Sequence, residues 1–116
     1  MGGSFETAPG HPDERLRPLR VAVLRAAVYR EARDLVADLP GWRLMRADEE
    51  GLVLVCERRG GFLAGHSTVT LRFEGPEEIP STVVHARSET AGGLPGTRRD
   101  RANVREFMRL FGRRVG

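Results

Sequence analysis

The stretch STVTLRFEGPEEIPSTVVHARSE, residues 67–89, decides the fold because it holds two strands and the turn that joins them. Val69, Leu71 and Phe73 alternate with polar residues, which is the pattern of a strand with one face in the core and one in water. The segment GPEEIP interrupts this alternation with one glycine and two prolines, which favour turns. STVVHARSE then predicts a second strand, and the short connection predicts antiparallel pairing.

The sequence before this hairpin adds two more strands, a helix and a first strand. WRLMRA (42–47) and LVLVCER (52–58) predict strands that are separated by a Glu-Glu-Gly turn. Over residues 26–39 the apolar positions recur every three to four residues, which predicts a helix that Pro40-Gly41 ends. LRVAVL (19–24) predicts the first strand.

The last segment, from Asp100 to Val115, is predicted to be an amphipathic helix. Its apolar residues fall within an arc of about 100°, wide enough to cover a sheet, and these are Val104, Phe107, Met108, Phe111 and Val115. Asp100 stands at the position expected for an N-cap. The order β-α-β-β-β-β-α predicts a two-layer α+β fold, an antiparallel sheet with both helices packed on one face.

The chain is predicted to contain one domain, residues 18–116, preceded by a disordered arm at residues 1–17 that is rich in glycine, proline and charge. The single cysteine, Cys56, excludes an internal disulfide. No apolar run approaches the roughly 18 residues of a membrane span, and the N-terminus lacks a secretory signal. These features predict a cytoplasmic protein.

All 19 lysine or arginine positions are arginine, and the formal net charge is +3. A basic chain suggests an acidic partner such as nucleic acid, an anionic lipid or an acidic protein. However, arginine without any lysine is also typical of a GC-rich genome. The net charge is therefore a better guide than the sequence pI of about 10.3.

The C-terminal helix concentrates the positive charge. Four arginines spaced by four residues form one ridge beside the apolar stripe, and these are Arg101, Arg105, Arg109 and Arg113. Glu106 is the only acid predicted to reach the ridge along the helix, through Arg109. Residues 98–114 hold seven arginines and two acids, whereas the rest of the chain holds 12 arginines and 14 acids. The ridge, with Arg98 and Arg99, is a candidate anion- or partner-binding site, or else the polar face that any amphipathic helix needs.

The polar face of the sheet is a second candidate. Alternation puts Arg72, His85 and Arg87 on the face opposite the apolar residues, where they could contact an anionic or polar ligand. His85 is able to change charge near neutral pH. The alternative is an ordinary face in contact with solvent.

Two motifs carry a resemblance to a known family. The helix that runs into Leu39-Pro40-Gly41-Trp42-Arg43-Leu44 has the form helix followed by P-G-W-x-[VL]. Later positions fit the pattern R-S-x-S-R-x-G-x-x-D-x-G-x-N with an arginine-rich helix after it, and these are Arg87-Ser88, Gly92 or Gly93, and Arg105 with Phe107-Met108. The chain thus resembles the bacterial domain-of-unknown-function family 1499, which brings no established activity. Thr90 replaces the second serine of the pattern, and its Asp and Asn fall near Gly96 and Asp100.

The sequence indicates no catalytic residue, cofactor or metal site. Cys56 alternates with Leu52 and Leu54 and is predicted to be buried, while His66 and His85 lack the spacing of metal ligands. We expect first a non-enzymatic module that binds a protein partner or an anionic small ligand, and second a nucleic-acid-binding protein. An enzyme is the third alternative. The modest charge and the scarcity of aromatic residues disfavour nucleic acid.

Overall fold

The computed structural model describes residues 3–60, 65–91 and 97–115. These residues form an antiparallel sheet of six strands with two helices packed against it, which confirms the predicted α+β fold. The strands are β1 (Gly3–Glu6), β2 (Leu19–Val21), β3 (Trp42–Asp48), β4 (Val53–Arg59), β5 (His66–Glu74) and β6 (Thr82–Thr90). The helices are α1 (Arg25–Asp38) and α2 (Arg98–Val115), and a short 3-10 helix spans Glu14–Leu16.

The strand order is β1-β6-β5-β4-β3, and β2 pairs with the other end of β6. Leu71 on β5 lies between Leu54 on β4 and Ala86 on β6, and all three are buried. Because side chains alternate along each strand, this register puts the apolar residues of neighbouring strands on one face. Both helices cover that face.

The N-terminal segment differs from the prediction of a disordered arm. From Gly3 onward it is ordered: β1 pairs with the C-terminal half of β6, and β2 continues along the same edge. Residues 8–18 leave the sheet between these two strands and pack against α2, and Leu16 is only 1% exposed in the core. Backbone pairing of β1 with β6 and the burial of Leu16 hold residues 3–17 in place. Neither feature produces a periodic pattern in the sequence, so the prediction of a disordered arm does not hold for these residues.

The core is formed between the sheet and the apolar stripes of the two helices. Tyr29 of α1 meets Phe73 of β5 edge to face, with ring centroids 5.7 Å apart. Phe107 of α2 stacks on Phe111 at 5.1 Å and lies 6.1 Å from the Trp42 ring of β3. Burying each large side chain contributes about 1.5–3 kcal/mol, so these stripes fix α2 on the sheet and turn its arginines outward.

The end of α1 follows the sequence prediction. The Leu39 N–H donates to Leu35 O at 3.0 Å, and the chain then turns at Gly41, whose φ of 82° is a left-handed conformation that favours glycine. The Arg59 N–H donates to Gly41 O at 2.7 Å. This turn therefore brings the end of β4 close to the start of β3. Neither described helix is long and apolar enough to cross a membrane.

Candidate functional site

The arginine ridge lies on the outer side of α2. Val104, Phe107 and Phe111 face the core with 0% exposure. The side chains of the ridge are all exposed, and these are Arg101, Arg105, Arg109 and Arg113. Arg98, also exposed, begins the helix. We call these five exposed arginines the α2 basic face.

One member of the α2 basic face is neutralised by the N-terminal segment. Arg105 Nε lies 3.0 Å from Asp13 Oδ2, across 92 positions of sequence. The Arg15 backbone N–H, followed by the Arg105 guanidinium, lowers the pKa of Asp13 from its ordinary value of 3.8. The segment that was predicted to be a disordered arm thus supplies the acid, Asp13, that pairs with Arg105.

The other four members of the α2 basic face have no acid to balance their charge. Arg98, Arg101, Arg109 and Arg113 form no ion pair with any residue in the described part of the chain. Arg114, next to the ridge, pairs instead with Glu31 of α1 at 2.8 Å. Four unpaired guanidinium groups on one helix make this surface electropositive.

Glu106 does not pair with Arg109 as the helical spacing predicts. Its carboxylate points toward the sheet and accepts hydrogen bonds from Arg58 Nε at 2.9 Å and Trp42 Nε1 at 2.9 Å. A bidentate contact between Arg58 and a carboxylate is stronger and better oriented than a contact along the helix surface, so Glu106 is held there. The result leaves Arg109 without an acid partner in the described structure.

Arg99 lies apart from the ridge, on the side of α2 that faces the β3–β4 sheet edge. It is half-buried and donates to Gly65 O at 2.7 Å. A groove of about 490 Å³ runs beside it, and its lining residues are Pro40, Gly41, Arg58, Arg59, Gly60, Arg99 and Asn103. Since Arg58 is paired with Glu106, this groove is less positive than its arginine count suggests.

A second cleft, of about 290 Å³, lies on the other side of α2 against residues 14–19. Its lining residues are Glu14, Arg15, Arg17, Leu19, Met108, Arg109, Gly112 and Arg113. We call it the C-terminal cleft. Sequence reasoning missed Arg15 and Arg17 because it treated their segment as disordered, and only the packing of this segment on α2 brings them to Arg109 and Arg113.

The sheet-face candidates lie on the opposite side of the molecule from the α2 basic face, and each has an acid partner. Arg72 and His85 are register partners on β5 and β6. Glu74 lies 3.0 Å from Arg72 and 3.4 Å from His85, and Glu6 lies 3.4 Å from Arg72. Arg87 Nε lies 2.8 Å from Glu89. The sheet brings the three basic residues to one face, but its acids balance their charge.

A buried polar cluster replaces the predicted N-cap. Asp100 is inside α2, in its first turn, with 0% exposure. Its Oδ1 accepts hydrogen bonds from Ser88 Oγ at 2.7 Å and Thr90 Oγ1 at 2.8 Å, and Asn103 Nδ2 donates to Ser88 Oγ at 3.1 Å. The N-cap prediction was wrong because α2 begins two residues earlier, at Arg98, and the Asp100 side chain is buried. Ser88 and Thr90 lie on the same face of β6 as the buried Val84 and Ala86. Hydroxyl residues on the core face of a strand are the signal in the sequence that indicates a buried polar partner on α2.

The groups considered for catalysis are dispersed. Cys56 is 0% exposed, and burial raises the pKa of its thiol to about 12, as expected for a structural cysteine. His66 lies 3.8 Å from Glu57 on the exposed side of the sheet. Within the described residues no group of three or more His, Cys, Asp or Glu could hold a metal ion. No protein-family model, curated protein or solved structure matches the chain.

Proposed function

We propose that this protein is a non-enzymatic binding module whose α2 basic face binds an anionic partner, either an acidic protein segment or a small anionic ligand. The observation that carries the proposal is the clustering of unpaired arginines along one helix. The sheet-face candidates Arg72, His85 and Arg87 are each beside a glutamate, whereas Arg101, Arg109 and Arg113 share one face of α2 and have no acid partner among the described residues. Unpaired guanidinium groups on a rigid helix are ready to bind carboxylate or phosphate.

The fold supports this use of α2. Its apolar stripe is buried from Val104 to Phe111, so the helix is held in place and binding requires no ordering of its backbone. Maintaining like charges four residues apart costs roughly 0.2–0.5 kcal/mol per pair in a helix. A surface that carries this cost with a single acid partner, Asp13, is better explained by a partner than by solvation alone. We place the module in the bacterial cytoplasm, in line with the family resemblance and the lone reduced cysteine.

Nucleic acid is the second candidate. Single strands are usually bound by exposed aromatic rings that stack on bases. On α2 both phenylalanines, Phe107 and Phe111, are 0% exposed, and Trp42 is 7% exposed. The α2 basic face therefore offers phosphate contacts without stacking surfaces, which favours an acidic protein or small ligand over a single strand.

Binding of a fluorescent glutamate decapeptide tests the proposal, measured by anisotropy at about 50 mM and about 200 mM NaCl. We expect the triple variant Arg101→Ala/Arg109→Ala/Arg113→Ala to bind at least roughly tenfold more weakly than the unmodified protein, because each exposed charge contact contributes a few tenths to 1 kcal/mol. Inorganic phosphate, used as a competitor, reports whether a small anion occupies the same surface.

The matched control removes three exposed arginines elsewhere, in Arg20→Ala/Arg30→Ala/Arg46→Ala. Both triple variants remove three positive charges, so they change the net charge equally. The control residues also lack ion pairs in the described part of the chain, so their removal breaks no salt bridge there. An equal loss of binding in both triple variants, or no peptide binding at the lower salt concentration, would contradict the proposal. Tighter binding of a single- or double-stranded oligonucleotide through the same three arginines would establish the second candidate instead.

A further inference from the structure

The C-terminal cleft combines positive charge with an apolar lining. Leu19, Met108 and Gly112 supply the apolar part, and the arginines stand around it. A Cβ built on Gly112 would meet no atom within 4 Å, so packing within the chain does not require glycine there. Glycine inside a helix costs about 0.5–1 kcal/mol relative to alanine. Gly112 therefore keeps space open in the cleft at a cost to the helix.

The charge around the cleft is unbalanced. Four arginines line it against one acid, Glu14. Arg15, Arg109 and Arg113 form no ion pair with described residues, and Arg17 donates to the backbone carbonyls of His11 and Pro12. The cleft thus suits a group that carries carboxylates next to an aliphatic side chain.

The chain itself displays such a group on the β5–β6 loop, residues 75–81, with the sequence GPEEIPS. Ile79 is 55% exposed, more than any other large hydrophobic residue that the structure describes. The side chain of Glu77 is 78% exposed although it lies 2.8 Å from Arg25, and Glu78 is exposed without an ion pair in the described structure. Two prolines restrict the loop, so little conformational entropy is lost when it binds.

The loop and the cleft lie at the same end of the sheet. Leu19, which lines the cleft, pairs with Val84 on β6, and the loop joins β6 at Thr82. Leu24 is at this end too and is 42% exposed. Two copies that face each other through this end can each present a loop to the cleft of the other. A two-fold axis relates two such equal contacts.

We propose that the C-terminal cleft receives the 75–81 loop of a second copy of this chain, giving a two-fold dimer. Ile79 packs against Leu19 and Met108 over Gly112, and the two glutamates of the loop contact the arginines. This inference rests on the proposed function, since it uses Arg109 and Arg113, and it names the partner. The contact is small, so the expected Kd is on the order of 10–100 μM at low salt and rises with ionic strength.

Sedimentation equilibrium of the full chain tests the proposal with two charge-reversed variants. The loop-reversed variant is Glu77→Arg/Glu78→Arg, and the cleft-reversed variant is Arg109→Glu/Arg113→Glu. Each variant alone places like charges in both contacts of a dimer, so we expect its Kd to rise at least tenfold. An equimolar mixture restores opposite charges in both contacts, so we expect a heterodimer about as stable as the wild-type dimer.

The control Arg46→Glu/Arg59→Glu, on the opposite edge of the sheet, changes the net charge by the same amount as the cleft-reversed variant and should dimerise normally. Thermal unfolding of each variant, followed by circular dichroism, confirms that it is folded. A wild-type chain that stays monomeric to about ten times the expected Kd overturns the proposal. So does a dimer that survives both reversals, or a mixture that fails to form the heterodimer.

Failure of this inference is distinct from failure of the proposed function. A monomeric wild-type chain that still binds the glutamate decapeptide through Arg109 and Arg113 keeps the proposed function and rejects self-association. A dimer that follows the charge-reversal pattern while the decapeptide does not bind supports self-association and rejects a general acidic partner. The peptide measurement is made below the dimer Kd so that the cleft is open.

Discussion

The carboxylate of Asp100 is fully buried under the first turn of α2, where it accepts hydrogen bonds from Ser88 and Thr90. Its other oxygen, Oδ2, has no hydrogen-bond partner among the described residues. The cluster therefore ties α2 to β6 through Asp100 Oδ1 and through the hydrogen bond that Asn103 donates to Ser88 Oγ. A buried hydroxyl that loses its acceptor costs about 1–3 kcal/mol.

We expect Asp100→Ala to lower the free energy of unfolding by about 1–3 kcal/mol, because Ser88 and Thr90 lose their acceptor. Asp100→Asn keeps an oxygen at the Oδ1 position and should cost less, below about 1 kcal/mol. Urea unfolding measures both variants, with the exposed Asp34→Ala as the control. Equal costs for Ala and Asn would show that the negative charge, not the accepted hydrogen bonds, stabilises this site.

The thiol of Cys56 makes the stability depend on pH above neutrality. Burial raises its pKa in the native state from 9.0 to about 12, so the unfolded chain releases the thiol proton at a lower pH than the native chain. The stabilisation is complete below pH 9.0 and is lost as the pH rises toward 12, by up to about 1.4 kcal/mol per pH unit. Cys56→Ala lacks this loss, so we expect the difference between the two urea-unfolding curves to change from about pH 8 to about pH 10.5. A constant difference across this range would contradict the burial of the thiol.

At the scale of secondary-structure elements, the site depends most on the sheet edge formed by β1 and β2 and on the loop, residues 8–18, that joins them. β1 and β2 lie end to end along β6, and residues 8–18 between them bring Asp13 to Arg105 and place Arg15 and Arg17 at the C-terminal cleft. Leu16 anchors this loop in the core. The loop shapes both the charge and the walls of the cleft.

Leu16→Ala should lower the free energy of unfolding by about 2–5 kcal/mol, because it leaves a cavity in the core. Deletion of residues 1–17 should destabilise the protein at least as much, since it also removes the pairing of β1. Thermal unfolding followed by circular dichroism checks both. Arg15→Ala is the control, because the exposed Arg15 side chain forms no hydrogen bond or ion pair with described residues, and it should leave the midpoint almost unchanged. An unchanged midpoint after the deletion would mean that this segment is a disordered arm after all.

At the scale of the whole molecule, charge is divided between two surfaces. On the outer face of the sheet Arg72, His85 and Arg87 lie beside glutamates, whereas the α2 basic face holds arginines at four-residue spacing with one acid partner, Asp13. Neighbouring like charges on a helix repel each other. The protein thus keeps a local repulsion on α2 that a few substitutions would relieve.

Arg109→Glu should therefore raise the free energy of unfolding, by roughly 0.5–1 kcal/mol at low salt, because it turns two like-charge neighbours, Arg105 and Arg113, into opposite-charge neighbours. The gain should shrink as salt screens the pairs. Arg30→Glu is the matched control on α1: it faces Asp34 four residues on and should destabilise the helix instead. Urea unfolding at low and high salt measures both, and a destabilising Arg109→Glu would show that Arg109 has an internal partner.

Local pattern accounts for the elements that the sequence predicted correctly. The alternation of Val69, Leu71 and Phe73 predicted β5, and the spacing of Phe107 and Phe111 predicted the buried stripe of α2. A short strand such as β1, with Phe5 as its only apolar residue, carries no comparable pattern and forms because β6 offers it a free edge. Prediction from periodicity fails where pairing alone holds a segment.

The sequence by itself determined the fold class, the position of the two helices and the concentration of arginine on the last one, because each of these depends on residues that are neighbours along the chain. Only the tertiary structure decided which arginines have an acid partner and which do not. Asp13 reaches Arg105 across 92 positions, and Glu106 leaves Arg109 for Arg58 across 48. Ion pairs form over about 3 Å in space and are independent of separation in sequence, so the identity of the free arginines, and with it the cleft, followed from packing.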